Sequence, residues 1–245
     1  MGIKERHVRD RETVRRAILD AARELFVAEG FNNVSIRKIA ERIEYSPAAI
    51  YGYFPSKDDI FFALAEEGFR LLCDRGAGPR AARADQAPSL DQVRGIFTRL
   101  YEFSRDQPQY FALMFVDRSV PRISREYERF AFAREMKGNI VREIAACADA
   151  GLLPQSLDPA VAMRALMIGV IGVAVLRLSD RLAPGENADQ LADDTLKLTL
   201  AGLQSGVVLH SAVAPACPLE QDAHEQSTVD SRQSTGATIE LSSAK

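Results

Sequence analysis

The sequence predicts an all-α chain, and three observations carry that reading. Apolar residues recur at spacings of three and four through most of its 245 residues. Serine, aspartate and proline stand where helices would start, and glycine where they would stop. No segment alternates apolar and polar residues with period two, and no internal repeat is evident.

From Arg11, the residues Val14, Ala17, Ile18, Ala21, Ala22, Leu25 and Phe26 form one stripe of an amphipathic helix, and residues 1–10 read as a basic flexible arm before it. Gly30 stands just past the last apolar turn, where a residue without Cβ can take the left-handed conformation that closes a helix. Ser35 caps a second, short helix carrying Ile36, Ile39, Ala40 and Ile43. Ser46-Pro47 starts a third, because serine caps free amides and proline at the first helical position gives up no needed hydrogen bond. That helix runs to about Tyr53 and stops at Phe54-Pro55, since the residue before proline is pushed out of the α region. Ser56 caps a fourth helix, in which Asp58 and Asp59 complement the dipole and Ile60, Phe61, Leu64, Leu71 and Leu72 are apolar.

Residues 74–89, rich in Ala, Gly, Arg and Pro, break the apolar period and place a domain boundary near there. Helical patterns resume over 89–107, in a short segment after Pro108, and from about Ile123 to Ala150, closed by Gly151 and Pro154. Asp158-Pro159 opens a helix that is apolar nearly all round through Leu178, and a last helix holds Leu196, Leu200, Leu203 and Val207. From Ala214 onward almost no large apolar groups remain to offset the entropy of ordering, so residues 211–245 read as a disordered tail.

With 47% hydrophobic and 27% charged residues the chain can bury a real core. The first thirty residues lack the apolar run of a secretory signal, which predicts a cytoplasmic protein. The longest apolar stretch, Ala165 to Leu176, falls short of the roughly 18–20 residues that cross a bilayer, so no membrane partner is expected. The net charge of −3 argues against nucleic acid only until its distribution is read. The stretch from Ala214 holds Glu220, Asp222, Glu225, Asp230 and Glu240 against Arg232 and Lys245, which accounts for all of it. The N-terminus is the basic end, with Lys4, Arg6, Arg9, Arg11, Arg15 and Arg16 against Glu5, Asp10 and Glu12.

Cys73, Cys147 and Cys217 are odd in number and widely separated, which signals neither a disulfide framework nor a zinc site. His7, His210 and His224 lie near the chain ends and form no metal or catalytic set. With no P-loop, no G-x-S-x-G, no H-E-x-x-H and no histidine in the globular middle, the sequence offers no catalytic residues, no cofactor and no metal, and the expectation is that this is not an enzyme.

The short helices 35–42 and 46–53, joined by a tight turn, have the helix-turn-helix arrangement in which the second helix can enter a major groove. Pro47, Ala48 and Ala49 let the backbone approach base edges, and alanine methyls suit thymine methyls. Tyr51 and Tyr53 offer hydroxyls to phosphates, free amides around Ser35 suit a phosphate, and Arg37, Lys38 and Lys57 supply charge. Residue by residue, a small helical bundle with these groups on its surface explains as much; as an ordered string they point to double-stranded DNA.

That string is Phe26 with Gly30-Phe31, then Ser35-Ile36 with Ile39-Ala40, then the unbroken run from Ser46 to Lys57. Together these residues closely resemble the DNA-binding domain of the TetR family, over about residues 11–65. The resemblance implies an N-terminal three-helix helix-turn-helix DNA-binding domain joined to a C-terminal helical ligand-binding and dimerisation domain over residues 66–210. It implies recognition by Ser46 to Tyr53, phosphate anchoring by Ser35, Tyr51, Tyr53 and Lys57, and core roles for Phe26, Ile39, Ala40, Ile50 and Phe54. Glu44 stands where the family usually has glycine, and a side chain in the left-handed conformation there costs about 1–2 kcal/mol.

The segment Pro108 to Phe115 is similar to a short helix of one broad TetR subgroup. Phe97, Tyr101, Phe111, Met114, Phe115, Met136, Met163 and Met167 together supply surface for an apolar cavity, although taken singly each fits an ordinary packed core better. A small apolar or aromatic effector is expected, with Arg118, Arg164 or Arg177 available to an acid group. The helix from Asp158 to Leu178 needs two apolar partners, its own core and a second subunit, with Gly169 and Gly172 allowing close approach. The expected assembly is a homodimer on a palindromic operator, and the resemblance implies a repressor whose effector moves its two reading heads out of register with DNA, although the residues themselves do not separate a repressor from an activator.

Overall fold

The first helix, α1, runs Ile3–Glu29 and so begins within the segment expected to be a flexible arm. Extending an existing helix costs little, and no glycine or proline interrupts residues 3–29. The apolar stripe therefore marks where α1 is buried, through Ile18, Leu19, Ala22 and Phe26, and not where it starts. The computed structural model describes residues 3–74, 87–121, 131–207 and 209; the predicted tail and the start of the predicted 123–150 helix lie outside them.

Gly30 (φ 81°, ψ 146°) ends α1 in the mirror-extended region rather than the left-handed helical one, a conformation open to glycine alone. A single 3-10 turn, Phe31–Asn33, follows. Helix α2 spans Ile36–Arg42, and the Ser35 hydroxyl accepts the Lys38 amide at 3.2 Å. Helix α3 spans Pro47–Tyr51, with Ser46 capping the Ala49 amide at 3.2 Å. It stops at Tyr51, before the expected Tyr53, because the Tyr53 and Phe54 amides both turn back to the Ile50 carbonyl. Helix α4 spans Lys57–Leu72, and its cap is reciprocal: Ser56 Oγ accepts the Asp59 amide and donates to the Asp59 carboxylate at 2.7 Å.

Beyond α4 come α5 (Leu90–Asp106), α6 (Pro108–Phe111), α7 (Ala131–Asp149), α8 (Pro159–Leu178) and α9 (Ala188–Gln204). Helix α6 widens into a π turn over Ala112–Val116, where the Asp117 amide reaches back five residues to the Ala112 carbonyl at 2.8 Å. Helix α8 packs against α5, α7 and α9, with Leu166, Val170 and Ala174 buried. Gly169 serves packing within the chain: a Cβ there would lie 2.8 Å from Thr195 Cγ2 of α9, whereas Gly172 faces open space. By length and composition α8 could cross a membrane, although a third of its most apolar window (33%) is buried inside the protein.

Four helices end alike, with a residue at positive φ whose amide and successor's amide return to the last turn: Glu44 after α2, Gly151 after α7, Asp180 after α8 and Gly206 after α9. Gly206 explains why the apolar stripe of α9 ends at Leu203 and leaves Val207 exposed. At Glu44 (φ 60°) the side chain is exposed and the conformation costs what a Cβ costs in that region. Glu44→Gly should therefore raise stability by about 1 kcal/mol, read as a higher urea midpoint at fixed protein concentration and unchanged slope. A lower midpoint would mean that the Glu44 side chain contributes more than its backbone strain removes.

Candidate nucleic-acid interface and internal cavity

Helix α3 is anchored from beneath by Ile50, which is fully buried, and presents an outer face of small and polar groups. Ser46, Pro47 and Ala48 are exposed, and Tyr51 projects with 55% of its surface accessible. Ser35 and Arg37, at the start of α2, are exposed as well. Ala49 and Tyr53 are half-buried; the Tyr53 ring sits under the Arg11 guanidinium at 5.5 Å, and Arg11 donates to the Gly52 carbonyl at 3.3 Å. The basic side chains here are balanced by carboxylates: Arg37 by Glu41 at 2.9 Å, Arg42 by Glu24 at 3.0 Å, and Lys38 by Glu29. Surface pairs of this kind contribute about 0–1 kcal/mol each, so a phosphate can displace the carboxylate at little cost.

Lys57 is placed differently from the expectation. Its ammonium donates to the Phe31 carbonyl at 2.7 Å and lies 4.1 Å from the centre of the Phe31 ring. Desolvation by burial lowers its pKa. The residue expected to anchor a phosphate thus bonds within the protein here, a contact that no local signal in the sequence marks.

Phe31 is held on its other side by a group that sequence reading missed. Its amide donates to Ser119 Oγ at 3.0 Å, and Ser119 is itself fixed by Asp117, to which both its hydroxyl and its amide donate. Beside this clasp, Arg23 of α1 donates to the Tyr110 hydroxyl at 2.8 Å and to Gln109 at 3.0 Å, while Arg16 pairs with Asp20 and Glu67. The hydrogen bond from Arg16 holds the Asp20 carboxyl below its usual range, and burial pushes Tyr110 up.

A cavity of about 120 Å³ lies among α4, α5, the π turn, α7 and α8. Of the residues expected to line it, Phe97, Met114, Phe115, Met136, Met163 and Met167 do so. Phe111 is instead buried in the core against Phe115, with ring centres 5.1 Å apart. Tyr101 turns its hydroxyl away to Asp189 at 2.8 Å, and burial first, then that bond, push it up to about 12. Arg118 is exposed, and Arg177 donates to the Ser104 carbonyl at 2.7 Å, so neither they nor Arg164 face the cavity. The unforeseen wall comes from α4, through Phe69 and Leu72, and from Ile96, Leu100, Ile140 and Lys137. The apolar period of α4 past residue 65 could have indicated the first two; nothing in sequence marks Lys137. Among the described residues, no group of three or more His, Cys, Asp or Glu could hold a metal ion.

Residues 18–64 match the family described as bacterial regulatory proteins, tetR family, and residues 93–199 match the tetracyclin repressor-like C-terminal domain. The chain belongs to the TetR family. The HTH-type transcriptional repressor Rv1474c of Mycobacterium tuberculosis is 34% identical over 88 residues, which is 35% of this chain and 47% of that protein. The chain thus spans about half the length of that curated relative. The TetR-family regulator PfmR from Thermus thermophilus superposes with a TM-score of 0.59 at 21% identity, over 76% of this chain and 98% of that one. SmeT, solved as a complex with triclosan, gives a TM-score of 0.64 at 22% identity, over 84% of this chain and 99% of the other. At these identities the two structures establish the TetR fold.

In this TetR-family chain Ser119→Ala removes the acceptor of the Phe31 amide and should cost about 1–2 kcal/mol of stability. Amide exchange at Phe31 should quicken more than at Ile50; equal acceleration at both would show a global effect and no local clasp.

Proposed function

We propose that this chain is a ligand-responsive, DNA-binding transcription regulator: a homodimeric repressor that leaves its operator when a small apolar or aromatic effector fills the cavity. The observation that carries the reading is α3 itself, pinned by buried Ile50 while Ser46, Pro47, Ala48 and Tyr51 stand open on one short, capped helix. Small residues on that face let a backbone approach base edges, and Tyr51 and Arg37 reach toward phosphates. The protein acts by binding and not by chemistry, and it works in the cytoplasm, where its operator is. The repressor of Mycobacterium tuberculosis named above and the SmeT–triclosan complex support this reading, the first for DNA regulation and the second for a small effector.

The dimer forms through α8 and α9. Ile168, Gly172 and Leu176 recur every fourth residue along α8 on one exposed line, and Leu198 stands 74% exposed on α9 beside the open Gly202. Four helices packed across that surface bury what a single chain leaves in water.

Binding of the purified chain to its own upstream intergenic DNA, against random DNA across a salt series, tests the function. Sequence-selective binding that weakens steeply with salt is expected; no selectivity at any salt overturns the reading. Tyr51→Ala should weaken binding to all sequences by about fivefold to tenfold, whereas replacing Ala48 by a larger residue should change which sequence is preferred. Leu198→Asp should turn a dimer into a monomer in sedimentation at micromolar concentration, and a wild-type chain that sediments as a monomer refutes the proposed assembly.

A further inference from the structure

We propose that the effector is a small apolar monoanion, a one-ring or short-chain body carrying a single carboxylate, with the body in the cavity and the carboxylate on the Lys137 ammonium. This rests on the reading of the cavity as the effector site. Among the described residues, Lys137 is the one charged side chain in the cavity wall, and every other lining residue is apolar. It is exposed, yet stands on α7 between the buried lining residue Met136 and the lining residue Ile140, which puts it at the mouth and not in the depth.

Its pairing sets it apart. The surface cations Lys38, Arg42, Arg70 and Lys197 each hold a carboxylate. Among the described residues none bonds Lys137, although Glu135 lies two residues away on the same helix, where i and i+2 side chains diverge. An unpaired ammonium at the edge of a low-dielectric wall attracts an anion more strongly than one on open surface, and a carboxylate there accepts a charge-assisted bond. A cationic ligand is repelled, a neutral one leaves the ammonium unused, and a dianion finds no second cation among the described residues of the wall.

Size and lining define the body. An apolar cavity of roughly 150 Å³ accommodates benzene, so about 120 Å³ admits one ring or a short chain and no larger framework without movement. The thioethers of Met114, Met136, Met163 and Met167 line it, and such groups adapt their shape and favour aromatic edges.

Calorimetric titration of the full chain with phenylacetate and with its neutral isostere phenylacetamide tests the proposal. Phenylacetate should bind at least about tenfold more tightly; Lys137→Met should bring it down to the amide's affinity and Lys137→Arg should keep the preference. Ile96→Phe, which narrows the cavity, should weaken both. If the amide binds as tightly as the acid, or Lys137→Met leaves the acid unaffected, the anionic class is wrong, while loss of both ligands in Ile96→Phe would still support the cavity as the effector site. If neither ligand binds at millimolar concentration, the proposed class is overturned; operator binding by the ligand-free protein then decides separately whether the chain is a DNA regulator.

Discussion

The arrangement of the N-terminal helices hangs on Phe31. Its ring packs against Phe26 of α1 at 5.0 Å and Phe61 of α4 at 5.8 Å, its carbonyl accepts from Lys57 at the start of α4, and its amide donates to Ser119. One residue therefore uses its side chain and both backbone groups on three separate parts of the chain. It can do so only because Gly30 takes a conformation closed to other residues, which turns the backbone sharply off the end of α1. With Phe31 fixed, Ser35 follows four residues later, and the position of α2, and through its closing turn that of α3, is set.

The local part of this was legible. Ser35, Ser46 and Ser56 each announce a helix start, and each hydroxyl accepts the amide three residues on. Glu44 is marked through the resemblance to the TetR family, which usually has glycine there, and its φ of 60° lies in the region that favours glycine. Long-range partners were illegible for a physical reason. Lys57, Ser119 and Lys137 are ordinary polar residues whose roles depend on what lies 26 residues away, 88 residues away, or across a cavity. Arg118, Arg164 and Arg177 were reasonable partners for an acid on composition alone, yet side-chain direction decides the matter. Half of the cavity wall was readable because aromatic and thioether side chains suit a core and a cavity alike, so their presence fixes the neighbourhood and leaves open which of them borders empty space.

Helix α8 shows how one segment's composition forces architecture. It is apolar nearly all round, so no single packed face can satisfy it. Inside the chain it meets α5, α7 and α9, with Gly169 bringing α9 within a methyl's reach. Its remaining line through Ile168 and Leu176 is left in water, and under the proposed function that line belongs to a second subunit. The same helix contributes Met163 and Met167 to the cavity. Dimer surface and effector site then share one rigid element, which ties the distance between two reading heads to the state of each cavity.

The decisive element for any such linkage is α4, because the segment from Pro108 to Pro121 grips it directly near one end and, through Phe31, at the other. At the inner end, Gly68 has no Cβ; one placed there would lie 2.4 Å from Met114 Sδ and 3.2 Å from the Tyr110 ring, so the helix backbone rests directly on a residue of the cavity wall. At the outer end, Lys57 is bound to Phe31, which is bound to Ser119. A helix of 16 residues, about 24 Å long, is thereby held at two points by the same segment. Under the proposed function, an effector that displaces Met114 acts on the helix that carries Lys57, because the Gly68 backbone rests against that residue. To bias the equilibrium it must still bind one orientation of α4 more tightly than the other, and couplings of about 1–3 kcal/mol, which such systems commonly reach, change affinity roughly 5- to 150-fold. A single atom contact contributes only about 0.1–0.2 kcal/mol, so a coupling of that size calls for on the order of ten contacts changed at once, spread over neighbouring side chains such as Met114, Phe69 and Leu72, which share one wall.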